Sequence, residues 1–549
     1  MEEAPRRGRA RRLLPRRLGR CWDTGAAEPP HEPALPAAPP REQAGVEQAG
    51  SCGSSTSKPW ERRGFLVREP RSRIGSDYEV DSSKVGEGSF GVVRKGTHKD
   101  TDRTRAIKTL SKREAQSLKL FRREVEVMKH LDHPNIVKLF EVYEDAVSIY
   151  LCMDFCQGGD LFDRIIQVGR FDEGQAAVAV QQILRAVFYL HGNRVAHRDL
   201  KPENFLLMTP APIQSNCLKL TDFGFACRLI PGRPLATKAG TPFYMAPQVL
   251  AGRYDQLCDV WSCGVIMYTL LCGYPPFYGR TDRETLEKVR SGRYAFREKD
   301  WRRVSGDAKD LIAHLLEMRP KERYTAEKAL THVWVERLAT GQRRSVDEAF
   351  DAAMLGRLRR FRDKNRLKRA ALQTIAVHLG DGDLGELREQ FNALDANGNG
   401  TLTAEEIAQA ARKQGVEVPG DLQELIEAAD LDGSGGIDYS EFLASMLEQR
   451  DYLVKGAVKS AFATFDASGR GRIARQDLAK ILGAGRQDEG YMTELLEEVD
   501  KDGDGMISFD EFSAMMQSTP SGRGPPSNFF PASLKDEGED SDLAGLEVR

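Results

Sequence analysis

Apolar and polar positions change rhythm several times along the chain. Short β-like runs come first, at residues 90–94, 105–109 and 148–153, and predict strands. Longer stretches with helical apolar spacing lie between and after these runs, at 121–131 and 173–191. This order, within about 78–335, predicts an α+β unit. From 341 to 380 the period is again helical: at about 100° per residue, Met354, Leu358, Phe361, Leu372, Ile375 and Leu379 share one face. From 384 to 516 the chain repeats itself. Asp395, Asp430, Asp466 and Asp500 open similar segments spaced 35, 36 and 34 residues apart, which predicts an array of like units. Residues 1–75 (Arg, Pro, Ala, Gly, Ser) and 517–549 (Pro, Gly, Ser, acid) are expected to be disordered.

Composition narrows the partners. The 549 residues carry a net charge of −2, so no bulk pull toward nucleic acid or membrane is expected. The ends differ: eight Arg against two Glu in the first twenty residues, and Asp536, Glu537, Glu539, Asp540 and Asp542 near the finish. Nine cysteines, an odd number without a C-x-x-C pair, predict free thiols in a reducing, cytoplasmic setting. No apolar run approaches the ~20 residues a spanning helix needs, and no apolar core follows the basic N-terminus of a would-be secretory signal. Glu2 stands where N-myristoylation needs glycine. The arm is expected to be free; acylation of Cys21, beside the arginines, through which it could reach an acidic membrane, and an organelle or nuclear address are the alternatives.

The candidate chemistry begins with Gly86, Gly88 and Gly91, a G-x-G-x-x-G-x-V string ending at Val93. Glycines let backbone fold over phosphates, and no long helix follows directly, which argues against a dinucleotide-binding βαβ unit. Lys108 then closes Ala-Ile-Lys, Glu124 lies on the next predicted helix, and H-R-D-L-K-P-E-N (197–204) and D-F-G (222–224) follow. Phosphoryl transfer needs charge neutralisation and in-line positioning more than covalent help. Lys108 would hold the α/β-phosphates, steadied by Glu124. Asn204 and Asp222 are oxygen ligands suited to Mg²⁺. Asp199 would orient the attacking hydroxyl and accept its proton, and Lys201 would offset γ-phosphate charge.

In these motifs the chain resembles the eukaryotic protein kinase family. The resemblance implies a bilobal fold with ATP in the cleft, Val85, Val93, Ala106 and Leu206 lining the adenine pocket, and Met153 at its back. It also implies that Asp259 braces the catalytic loop behind Arg198. The H-R-D-L-K-P-E-N string and Thr241 in Gly-Thr-Pro look like the serine/threonine branch. Asp160 and Glu203 match positions that in basophilic relatives meet an Arg of the substrate; two solvated surface acids are the alternative. The family's Ala-Pro-Glu appears here as Ala246-Pro247-Gln248, so the usual ion pair, with Arg323, would become a hydrogen bond and weaken the C-lobe.

Three of the four repeat units contain a twelve-residue loop with oxygen side chains at positions 1, 3 and 5, Gly at 6, an apolar residue at 8 and Glu at 12, the EF-hand pattern for Ca²⁺. The first loop offers Asp395, Asn397, Asn399 and Glu406, the second Asp430, Asp432, Ser434 and Glu441, the fourth Asp500, Asp502, Asp504 and Glu511. Position-7 carbonyls would come from Thr401, Gly436 and Met506. The third loop has Arg470 at position 5 and Asp477 at position 12, so it is expected to keep the EF-hand fold, pair with the fourth and bind calcium poorly. Met446, Met492, Met515 and Met516 suit either an apolar groove or ordinary core.

Residues 357–369 hold eight Arg/Lys and one acid, Asp363. A basic amphipathic helix could bind nucleic acid or a membrane, but its place between two modules favours an internal partner, a loaded EF-hand pair. This segment followed by four hands resembles the junction of plant and protist calcium-dependent protein kinases. That resemblance, over about 78–516, implies a multidomain chain: arm 1–75, kinase domain 78–335, autoinhibitory junction 341–380, an all-α, calmodulin-like EF-hand domain 384–516, and tail 517–549. The expected function is a calcium-activated serine/threonine kinase, monomeric, using ATP, Mg²⁺ and Ca²⁺. The rivals are a calcium-binding scaffold with an inactive kinase domain and a kinase whose hands are calcium-independent docking sites.

Overall fold

The computed structural model describes residues 67–518 except 71, 89–90, 113–114, 340–349, 351, 380, 449–455 and 482–488. The expectations for Cys21, most of the arm and the tail beyond 518 lie outside these residues.

Five antiparallel strands form the first lobe: β1 (Tyr78–Gly88), β2 (Gly91–His98), β3 (Thr104–Ser111), β4 (Leu139–Glu144) and β5 (Ser148–Met153), ordered β1-β2-β3-β5-β4. The register sets Lys108 opposite Val93 and Leu151, and Ala106 opposite Met153. Helix α1 (Ala115–Met128) lies against the 3₁₀ turn Phe223–Phe225. It begins and ends earlier than the expected 121–131, and His130 and Leu131 donate to Val127 O and Met128 O in the tighter turn that closes it.

The end of the arm is a correction. The bonds from Arg68 N–H to Phe140 O and from Val142 N–H to Arg68 O extend the sheet edge, Arg68 pairs with Glu141 at 3.1 Å, and Val67 is buried. One apolar side chain and one buried carboxylate partner are enough to order residues next to 75 that composition marks as disordered.

The second lobe is helical. Helix α2 (Leu161–Val168) starts at Asp160, whose carboxylate accepts the Asp163 N–H. Helix α3 (Glu173–Gly192) opens with a capping box between Asp172 and Gln175. The short pair β6 (Phe205–Leu207) and β7 (Leu218–Leu220) frames the catalytic segment, and α4 (Leu257–Cys272) is buried along nearly its whole length. The seven described cysteines are free thiols, and among the described residues no helix is long and apolar enough to cross a membrane.

The junction forms two helices where the pattern predicts one. Helix α5 (Ala352–Arg362) stops at Asp363-Lys364, and α6 (Arg366–His378) restarts on Asn365, whose side chain accepts the Lys368 N–H as N-cap. Met354, Leu358, Phe361, Leu372, Ile375 and Leu379 are all buried. They share one core with Phe391, Phe442, Phe465, Phe512 and Met516 of the repeat region. Each such aliphatic side chain contributes about 1.5–3 kcal/mol of burial.

The repeats fold as helix–loop–helix units. Helix α7 (Asp381–Leu394) leads to the first loop and α8 (Ala404–Lys413) leaves it; α9 (Leu422–Ala429) and α10 (Tyr439–Met446) flank the second. The units pair through two-residue strands, Thr401–Leu402 with Ile437–Asp438 and Ile473–Ala474 with Met506–Ile507, so the third loop does sit beside the fourth.

Candidate active site and calcium loops

Strand β3 and helix α1 bring Lys108 Nζ to 2.5 Å from Glu124 Oε1, both buried, and Asp222 Oδ1 lies 3.8 Å from the same nitrogen. Burial works against the ammonium, but Glu124 and Asp222 outweigh it and raise its pKa, so Lys108 is a cation at neutral pH. Asp222 adopts a left-handed backbone (φ 63°), which aims its side chain while Phe223 stays fully buried beneath α1.

The catalytic segment is held from behind. Asp259 accepts the N–H groups of His197 (2.9 Å) and Arg198 (2.8 Å) and bonds His191 Nε2 at 3.0 Å. Arg198, itself at φ 70°, donates through Nε to Phe225 O at 2.6 Å, which ties the H-R-D turn to the D-F-G turn. Asp199 is buried; Lys201 Nζ lies 2.8 Å from its Oδ2, and the Thr241 hydroxyl donates to its Oδ1 at 2.7 Å. The Asn204 amide nitrogen donates to Asp199 O at 2.8 Å, which turns its carbonyl oxygen the other way. The Thr221 N–H donates to Asn204 O at 2.9 Å, so the two segments form one continuous network.

The expected nucleotide-pocket positions occupy neighbouring strands. Gly86 and Gly88 end β1, and Gly91 starts β2, where a Cβ would collide with the Thr109 carbonyl. Val85 is exposed, Met153 is buried, and Leu206 bridges to Asp160 across the lobe. Asp160 therefore has a structural task as helix cap. Glu203 is different: its Oε2 is buried without a hydrogen bond, and burial raises its pKa. Gln248 accepts from Arg323 Nη2 at 3.3 Å, while its own amide nitrogen is buried without a partner.

The calcium loops present their oxygens inward. Carboxylate oxygens of Asp430, Asp432 and Glu441 lie within 4.8 Å of one another, and so do those of Asp500, Asp502 and Asp504. This donor chemistry fits a hard divalent cation. In the first loop Asp395 accepts from Gly398, Asn399 and Gly400, and Glu406 reaches back to Thr403. In the third loop Ser468 donates to Asp466 and Asp477, and Asp477 accepts from Ala474, so the short acid serves the loop's own backbone. Met446, Met515 and Met516 are buried in the core shared with the junction; the Met492 side chain lies outside the described residues. Lys368 donates to the carbonyls of Met515 (2.8 Å) and Met516 (2.9 Å).

Contacts between the hands and the catalytic unit were not foreseen. Arg185 of α3 bonds Asn392 and Asp395, Ser440 N–H donates to Asp132 at 2.9 Å, and Arg105 donates to His378 O at 2.8 Å. The Arg105 guanidinium lies over the Phe140 ring (3.7 Å to its centroid), and the His378 ring packs against the same phenyl group (5.9 Å between centroids). The signal available in the sequence was Arg185, a cation inside the apolar helical run 176–190.

Fold and site together define a protein kinase carrying EF-hands. Residues 79–335 match the protein kinase domain family, and 386–447 and 457–517 the EF-hand domain pair. The chain is 40% identical over 455 residues to calcium-dependent protein kinase 5 of Plasmodium falciparum, covering 82% of this chain and 80% of that one. It is 39% identical over 464 residues to calcium-dependent protein kinase 3 of Plasmodium berghei, with 83% of each covered. It is 38% identical over 460 residues to calcium-dependent protein kinase 34 of Arabidopsis thaliana, covering 83% of this chain and 87% of that one. The chain belongs to the calcium-dependent protein kinase family, as a calcium-activated serine/threonine kinase rather than an inactive scaffold.

Proposed function

We propose that Asp199 accepts the proton of a substrate serine or threonine hydroxyl while Lys201 and Lys108 hold the phosphates of ATP and Glu124 fixes Lys108. The carrying observation is the Thr241 hydroxyl bonded to Asp199 Oδ1, which marks that oxygen as an acceptor for an alcohol proton. Magnesium, when bound by Asp222 and the outward carbonyl oxygen of Asn204, neutralises phosphate charge. Val85, Val93, Ala106, Met153 and Leu206 take the adenine, and Gly86, Gly88 and Gly91 cover the phosphates. Glu203, with an unsatisfied buried oxygen, receives a basic substrate residue, and Asp160 adds negative charge beside it.

Loops one, two and four are the calcium sites in this reading, through Asp395, Asn397, Asn399, Thr401, Glu406, Asp430, Asp432, Ser434, Gly436, Glu441, Asp500, Asp502, Asp504, Met506 and Glu511. Residues 78–335 are the catalytic domain, 341–380 the junction that restrains it without calcium, and 384–516 the domain that grips the junction. The shared core and the Lys368 bonds support that grip. A monomer in a cytoplasmic setting completes this reading, and the free thiols of the described cysteines support the setting. The test is phosphate transfer from ATP to a basic, serine-containing peptide. Asp199→Asn is expected to lower the rate about 10²–10⁴-fold. An unchanged rate would remove Asp199 from the chemistry.

A further inference from the structure

Arg185 is 3% exposed and plays no part in phosphate transfer. Its guanidinium leaves α3 and donates to Asn392 Oδ1 (2.9 Å), Asn392 O (3.0 Å) and Asp395 O (3.0 Å). These carbonyls close α7 and open the first calcium loop, and a cation is favoured at a helix C-terminus. The loop's glycines rest on the same lobe. A Cβ on Gly398 would stand 3.1 Å from Arg185 Cγ and 3.2 Å from Leu330, and one on Gly400 would stand 2.7 Å from His133 and 2.8 Å from Tyr189. The equivalent glycines of the other loops, Gly435, Gly471 and Gly505, have nothing within 4 Å.

We infer that the first calcium loop is the docking surface through which the kinase lobe senses calcium, with Arg185 as the positioning residue that links docking to ion affinity at that loop. The inference rests on reading the loops as calcium sites. Arg185 grips main-chain carbonyls on the outside of the loop. The Asp395 carboxylate stays inside, bonded to the N–H groups of Gly398, Asn399 and Gly400. A loop already folded around its ligands loses less conformational freedom on loading. The first loop gains most, because Asp395 and Glu406 are its only side-chain carboxylate ligands, against three in the second loop and four in the fourth. Linkage is reciprocal, so calcium in this loop strengthens docking by the factor by which docking strengthens calcium.

The test is a calcium titration of the full chain by calorimetry, comparing native protein, Arg185→Met, Glu406→Gln and the double variant. Native protein is expected to bind three ions and Glu406→Gln two. Arg185→Met should bind three, one of them at least about fivefold weaker. In the double variant the two remaining affinities should equal those of Glu406→Gln alone. Three unchanged affinities in Arg185→Met, or equal weakening at every site, would overturn the inference. So would tighter binding, because the guanidinium charge would then oppose the ion more than its bonds organise the loop. Native protein binding no calcium would instead overturn the reading of the loops. Asn392→Ala removes an acceptor from the opposite side and is expected to shift the same site in the same direction, which keeps the test intact if Arg185→Met does not fold.

Discussion

Single residues show where the family pattern is kept and where it is relaxed. Burial lowers the Arg323 pKa to about 10, and Gln248 offers it a neutral acceptor where a carboxylate is usual. Gln248→Glu should add an ion pair to a buried cation and stabilise the lobe by about 1–2 kcal/mol, since bonds to charged groups exceed neutral ones. Thermal unfolding checks this, and a lower melting temperature would contradict it. The residues that the fold assembles around the cleft were legible in the sequence, because motif order singles out Lys108, Asp199, Asn204 and Asp222 independently of packing. Arg185 was not, because its partners, Asn392 and Asp395, lie more than 200 residues away.

At the scale of elements, helical periodicity located the junction's apolar face, but only a local cap, Asn365, divides it into α5 and α6. The end of α6 carries a second expectation. Burial and then Arg105, Arg68, His98 and Lys138 push the His378 pKa down to about 3, and its Nε2 is buried without a hydrogen bond. Away from this packing the imidazole titrates near about 6.5. Its folded pKa is depressed, so its contribution to docking is complete above about pH 6.5 and is lost as pH falls toward 3. Protection of the amides at the end of α6, with each hydrogen-exchange rate divided by the intrinsic amide rate at that pH, should therefore fall between pH 7.5 and 5.5, by up to about tenfold for the unit below 6.5. His378→Gln should flatten that dependence; an unchanged profile would remove His378 as its source. In the third hand, Arg470→Asp with Asp477→Glu restores the ligand pattern and should raise bound calcium from three ions to four in a competition titration. A count still at three would place the defect elsewhere in the loop.

For the whole molecule, the two modules and their order were readable because each carries a dense local signature. Their mutual placement was not. It depends on scattered contacts, Arg185 to the first loop, Asp132 to Ser440 and Arg105 to His378, none of which forms a motif. In this arrangement the junction lies in the same core as the hands, while the Lys108–Glu124 pair and the Asp199 network are assembled. Calcium control then follows from which state of the hands favours this packing. The most direct test is phosphate transfer by the full chain against calcium concentration, beside a variant with Glu406, Glu441 and Glu511 all changed to Gln. The account predicts activity that rises with calcium in the native chain and stays at the calcium-free level in the variant. Equal native activity with and without calcium would contradict it.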